Sequence, residues 1–257
     1  VWDNYPYPTY NRTKYESTDV IVTISKVTDD IVANVAPTIE RHYLPHAVNM
    51  EIFRPLPEEQ INDFRVQQFG EDSKDLFICF WNNRNARRKM PGSLLWWFNE
   101  WAEKIGPEKV RLVMHTDPKD PNGQDLEAIV AQLNANDGRI LLSKGKVEPG
   151  YLGAMYNMAD VTINISDAEG FGLATLESLS CGTPIIVTMT GGLQEQVTDG
   201  KNWFGIGLTP SSRAIIGSQQ VPFIYEDRVS KKDFFNALDK IYSLSKKDRR
   251  ELGLRGR

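Results

Sequence analysis

Five short apolar runs recur between residues 75 and 189: "DLFICFWN", "VRLVMHT", "GRILLSKG", "DVTINIS" and "TPIIVTM". Most are apolar at every position rather than at alternate ones, as strands are when both faces of their sheet are covered. Helical stretches separate them, at 91–105, 126–135, 149–158 and 171–180. Strictly alternating strands and helices predict an α/β chain with a doubly wound parallel sheet. Such sheets bind ligands beyond the carboxyl ends of their strands, near the point where the strand order reverses. The residues that follow each run are therefore the ones to search for function.

The flanks are organised differently. "DVIVTIS" reads as a β-branched strand, residues 26–35 as a helix, and "IERHYLPHAVN" as a short strand entering a turn. Pro45, Pro55 and Pro57 mark a connector. The expected division is a small unit at 1–46, a linker and helix at 47–69, and the alternating domain at 70–257. Towards the end, "NWFGIGLTP" and "QQVPFIYED" look extended, and residues 231–244 form an amphipathic helix with Phe234, Phe235, Leu238 and Ile241 on one face. "SKKDRRELGLRGR" is either a charged helix or a frayed end.

The 257 residues suffice for a sizeable core. A formal net charge of −4 offers no basic field for nucleic acid. The apolar runs are far short of the ~20 residues that span a bilayer. Cys79 and Cys181 lie in apolar surroundings with no metal-site spacing, so they read as packed thiols of a cytoplasmic protein.

Each loop after a strand has a functional and a plainer reading. In "NNRNARRKMPG", Arg84 and Lys89 stand five residues apart, just ahead of Pro91 at a helix start, where a forked guanidinium and a mobile ammonium suit phosphate oxygens. A solvated basic loop is the alternative. "TDPKDPNGQD" fails the calcium-loop register and reads as a solvated loop, with His115 a structural residue. In "KGKVEPGYLGAMYNMAD", the main chain near Val147 can pair with the edge of a nucleobase, or the segment is a plain connection. In "SDAEGFGLATLESLSCGTP", Gly170 and Gly172 expose N–H groups where a helix begins, a seat for a diphosphate. Glu169 would repel phosphate, so it points at sugar hydroxyls or a developing positive charge. Glu177 suits vicinal ribose hydroxyls. Two solvent-facing glutamates are the alternative, weakened by the neighbouring Leu173, Leu176 and Leu179. "TGGLQEQV" opens one more helix after a flexible turn.

Together these segments resemble family 4 glycosyltransferases, retaining enzymes built from two Rossmann-like domains (the GT-B fold). "EGFGLATLESLSCGTPIIV" resembles their signature of two glutamates with seven residues between them. "NRNARRK" is similar to their diphosphate-binding pair, "GKVEPGYLGAMYNMADVTINIS" to their base-binding loop and following helix, and "TGGLQEQV" to their Gly-Gly loop. The resemblance covers roughly residues 40–245. It implies the C-terminal half of a GT-B fold with a remnant of the N-terminal, acceptor-binding domain. It also implies transfer of a sugar from a nucleotide-sugar (UDP-, GDP- or ADP-linked) with retention, no metal and no cofactor. Carried over, Glu169 is the catalytic residue at the donor sugar. Arg84 and Lys89 hold the diphosphate, Glu177 the ribose, the main chain of Val147 the base, and Gly170, Phe171, Gly172 and Leu173 the sugar and phosphate. The acceptor, a glycan, lipid or small molecule, stays open, and so does peripheral membrane contact of a longer protein.

The sequence departs from that family in three places. Its linker is "PHAVN" where the family has a Gly-Val-Asp run, it starts at Val1, and it stops at "GLRGR" where the family continues into a crossover helix. A fragment cut at both ends is the expectation, which leaves turnover by this chain open. Three rivals share parts of this pattern. An NAD-dependent oxidoreductase needs a third glycine in "GFGLAT" and an acid after the next strand. A metal-dependent glycosyltransferase of the other common fold needs an Asp-x-Asp triplet, which is missing. A nucleotide-sugar-binding module without catalysis has the same residues and is distinguished only by its products.

Overall fold

The computed structural model describes residues 9–257. Helix α1 (Arg12–Glu16) precedes a small unit of strand β1 (Val20–Thr23), helix α2 (Lys26–Val35) and strand β2 (Glu40–Tyr43). The two strands pair in parallel, with Val20 opposite Glu40. Ser25 caps α2, its hydroxyl accepting from the Thr28 N–H. A connector then leads to α3 (Glu58–Phe69).

The alternating region follows as read: β3 (Phe77–Asn82), α4 (Pro91–Ile105), β4 (Val110–His115), α5 (Leu126–Gln132), β5 (Ile140–Ser143), α6 (Pro149–Met158), β6 (Val161–Asn164), α7 (Leu173–Ser180), β7 (Ile185–Thr188) and α8 (Leu193–Val197). A further strand, β8 (Gly205–Leu208), comes from "NWFGIGLTP" and joins the same sheet. Its two glycines interrupt the apolar run that marks the others. All six strands are parallel, in the order β5-β4-β3-β6-β7-β8. A hairpin of β9 (Ser212–Ile216) and β10 (Ile224–Arg228) follows, then α9 (Lys231–Tyr242) and α10 (Lys246–Leu254). The charged tail is thus a helix.

Helices α5, α7 and α9 are shorter than their sequence patterns, the first two for evident local reasons. Helix α5 ends at Gln132 because Asn134 turns left-handed, φ 53°. Helix α7 starts at Leu173 because Gly172 is left-handed, φ 95°, which ends the preceding loop.

Side-chain alternation along β3 feeds two cores at once. Phe77, Cys79 and Trp81 point into one cluster with Leu94, Phe98 and Trp101 of α4 and Leu238 of α9. Ile78 and Phe80 point the other way, into a cluster with Met155, Tyr156 and Met158 of α6. A third cluster joins Ile185 and Val187 to Leu179, Leu193 and Val197. Both cysteines are buried and unbridged. His115 pairs with Ser143 across β4 and β5 at 3.0 Å, and burial pulls its pKa down, as befits a structural histidine.

One buried carboxylate ties the lower edge of the sheet together. Asp160, just before β6, accepts from Arg65 of α3 at 2.9 Å, from Arg249 of α10 at 2.9–3.0 Å, and from the Ile78 N–H at 2.8 Å. Removing one member of a buried ion cluster leaves the others uncompensated. Asp160→Asn is expected to cost about 3–5 kcal/mol, seen as a lower urea midpoint and a Tm about 10 °C lower. A change within error would show that the two arginines do not depend on it.

Candidate nucleotide-sugar site

The strand order reverses between β3 and β6, because β4 and β5 lie on one side of β3 and β7 and β8 lie beyond β6. The loops after β3 and β6 therefore leave the sheet side by side. Backbone bonds lace them together. The Asp167 N–H donates to Arg88 O at 2.8 Å, and the Arg88 guanidinium donates to Ala168 O at 3.0 Å.

In this crevice Lys89 meets Glu169. Lys89 ends a 3-10 turn, Arg87–Lys89, and its ammonium donates to the Glu169 carboxylate, with both side chains over nine-tenths buried. Burial lowers the Lys89 pKa, and Glu169 opposes the shift. Met90, next in the chain, is left-handed at φ 56°, which costs a bulky residue about 1–2 kcal/mol. That kink joins the turn to Pro91 at the start of α4 and keeps Lys89 turned inwards. Arg88 reaches the same carboxylate at 3.8 Å.

Gly170 is exposed, whereas Phe171 and Gly172 are buried. Helix α7 then begins without a side-chain cap. The Thr175 and Leu176 N–H groups bond back to Gly172 O, so the N–H groups of Leu173 and Ala174 are the helix's free donors. Leu173 itself is exposed. The loop is held from behind, because the Gln196 amide donates to Phe171 O at 2.7 Å. Gly192 packs so closely that a Cβ there would lie 2.7 Å from Phe171 Cα.

Glu177 sits just over one turn into α7, and burial raises its pKa while a hydrogen bond from Tyr156 opposes the rise. The Tyr156 hydroxyl donates to Glu177 Oε2 at 2.6 Å and accepts from Asn82 Nδ2 at 2.8 Å. Asn82, Tyr156 and Glu177 thus form a line from the end of β3 across α6 to α7. Sequence reasoning missed both Asn82 and Tyr156, which are separated by 74 residues and look like an ordinary strand end and core aromatic.

Arg84 and Val147 stand apart from that group. Arg84 makes a forked pair with Asp120 of the loop after β4, at 2.7 and 3.2 Å, and the pair holds the Asp120 pKa at about 2. Val147 is half-buried in an otherwise exposed loop between β5 and α6, next to Gly145 and Lys146. The structure thus brings Lys89 together with Glu169 and fixes Glu177 on α7, the helix that follows Gly172, but it gives Arg84 a different partner.

The small first unit borders this loop. The His46 ring meets Phe171 edge-on at 5.1 Å. Glu195 of α8 accepts from the Tyr43 hydroxyl at 3.0 Å and from the Lys26 N–H at 3.3 Å. Among the described residues, no group of three or more His, Cys, Asp or Glu side chains is gathered to hold a metal ion, and no helix is long and apolar enough to cross a membrane.

A six-stranded parallel sheet of this order matches the Rossmann-like C-terminal domain of GT-B glycosyltransferases. The chain belongs to the glycosyl transferases group 1 family, whose model matches residues 64–253. It is 29% identical over 178 residues to a D-inositol 3-phosphate glycosyltransferase of Xylanimonas cellulosilytica, covering 68% of this chain and 41% of that protein. Among solved structures it is similar to sucrose-phosphate synthase from Thermosynechococcus elongatus, with a TM-score of 0.74 at 22% identity, covering 96% of this chain and 54% of the other. It is also similar to Anabaena HepE in complex with UDP-glucose, with a TM-score of 0.71 at 14% identity, covering 96% and 62%. These likenesses show the fold. The chain spans less than half the length of the curated relatives it matches.

Tyr156→Phe is expected to raise the Glu177 pKa further, because the hydroxyl that lowers it is gone. The change should cost about 1 kcal/mol of stability. Thermal unfolding and a pH series of nucleotide binding test this; an unaltered pH dependence would remove Tyr156 from control of Glu177.

Proposed function

We propose that this chain carries the donor site of a retaining, metal-independent and cofactor-independent glycosyltransferase that uses a nucleotide-sugar. The observation that supports this most strongly is the Lys89–Glu169 pair beside the uncapped start of α7 at the switch point. On this reading the diphosphate takes Lys89 and the free N–H groups of Leu173 and Ala174, which meet the negative charge that grows on the leaving group. Glu169, released from Lys89, turns to the donor sugar at the reacting centre. Glu177, held by Tyr156, accepts from the ribose hydroxyls. Arg84 leaves Asp120 to reach the phosphates, and the main chain at Val147 pairs with the base. Gly170 and Phe171 line the sugar.

The bound UDP-glucose of the Anabaena structure is in keeping with this donor class. The two buried, unbridged cysteines fit a reducing, cytoplasmic setting. The acceptor would be a glycan, lipid or small molecule. A second reading, nucleotide-sugar binding without turnover, rests on the same residues and differs only in its products. Assaying transfer or hydrolysis of the bound sugar separates the two.

The test is a thermal-shift panel of UDP-, GDP- and ADP-sugars without metal. A ligand at 100 times its Kd adds about 2.7 kcal/mol, which is a shift of several degrees at roughly 2–4 °C per kcal/mol. One base should produce the shift, and Glu177→Ala should reduce it for nucleoside and nucleotide alike. Arg84→Ala should reduce it for the diphosphate more than for the nucleoside. No shift with any donor would overturn the reading, and equal losses in Arg84→Ala would take Arg84 off the phosphates.

A further inference from the structure

Beside the donor loop lie two buried carboxyl groups that the proposed chemistry does not use, both approached by the Arg228 guanidinium. Asp167 is 2% exposed and Glu226 of β10 is 1% exposed. The Glu226 carboxylate is well supplied with donors, since Arg87 reaches both its oxygens and Arg228 approaches at 3.5 Å. Asp167 is not: its Oδ2 is buried without a hydrogen-bond partner, and the nearest cation, Arg228, stands 3.9 Å away. A buried carboxylate oxygen in that position costs free energy unless it carries a proton that it can donate.

The main chain shows what this pair joins. The Asp227 N–H donates to Asp167 O at 2.7 Å, and the Asp167 N–H donates to Arg88 O at 2.8 Å. The hairpin, the loop after β6 and the turn after β3 therefore meet at Asp167, two residues before Glu169. The other charged groups nearby are accounted for. Arg87 and Arg228 face the carboxyl pair, Arg213 bonds Asp227 at 2.5 Å, and Arg88 and Lys89 face Glu169.

We propose that Asp167 and Glu226 share one proton, and that Asp167, donating it to Glu226, is a positioning residue that fixes the β9–β10 hairpin against the loop carrying Glu169 and Gly170. The titration directions agree. Burial, then the neighbouring Glu226 charge, raises the Asp167 pKa to about 7. Burial also pushes on Glu226, but its pair with Arg87 prevails and its pKa is lowered. The proton thus resides on Asp167. The inference deepens the proposed function, because the hairpin holds the donor loop, yet it can be tested without a donor.

The sign follows from linkage. Between the unfolded carboxyl value near 4 and the folded value near 7, the folded chain holds a proton that the unfolded chain has lost, so stability falls as pH rises across that window and is level above it. The experiment compares Tm from pH 4.5 to 8.5 for the wild-type chain and Asp167→Asn, whose amide donates at every pH. The wild type should lose several degrees relative to Asp167→Asn between pH 5 and 8. A constant difference would overturn the proposal, because it would mean that Asp167 is ionised throughout and pairs with Arg228. Hydrogen exchange of residues 212–228 and 166–172 in the wild type alone, corrected for intrinsic rates, is the second readout. Protection should fall in both segments from pH 6 to 8, and equal protection would also overturn it. UDP titration at the two pH values adds the functional arm: weaker binding at pH 8 in the wild type, restored in Asp167→Asn, is expected. Absence of UDP binding throughout would count against UDP as the donor nucleotide while the first two readouts still decide the proton.

Discussion

A parallel sheet buried on both faces leaves little room for chemistry except at its rim. In this chain β3 contributes alternate side chains to two separate cores, and Trp81 and Phe80 are fully buried on opposite sides. The loops after β3 and β6 are the consequence. They emerge together where the strand order reverses, and what they carry becomes the site.

The rim is charged, and its cations are already engaged. Lys89 has Glu169, Arg84 has Asp120, and Arg87 has Glu226. On the proposed reading a diphosphate would compete with carboxylates for Lys89 and Arg84, which favours ligands that offer several anionic oxygens at once. The three pairs differ in cost. The Arg84–Asp120 pair is open to water and easily exchanged. Lys89 and Glu169 are buried, so separating them requires a replacement for both. That requirement suits a donor with a phosphate for one and a polar sugar for the other.

Much of this was legible in the sequence because the signals were local. The five central strands, the start of a helix near "GFG" and the cation at Lys89 rest on runs of a few residues. The sequence of β8 reads only as extended, since Gly205 and Gly207 dilute its pattern, and the β9–β10 hairpin lacks the short turn that announces one. The partners of the site residues were not legible at all. Nothing in "NNRNARRK" tells that Arg84 faces Asp120 while Lys89 faces Glu169, and the Asn82–Tyr156–Glu177 line spans 95 residues of chain across three elements. The Asp167–Glu226 pair hides in the same way, because an acid after a strand looks solvated until a hairpin from 59 residues later covers it. Periodicity predicts which face is buried; it says little about which polar groups meet there.

The most direct measurement of the central claim is calorimetric titration of UDP, GDP and ADP, each beside its nucleoside, into the wild-type chain and Lys89→Met. The account predicts that one diphosphate binds more tightly than its nucleoside, and that this advantage disappears in Lys89→Met while nucleoside affinity is kept. A diphosphate advantage that survives the loss of Lys89 would contradict it, since the phosphates would then lie away from the β3–β6 switch point.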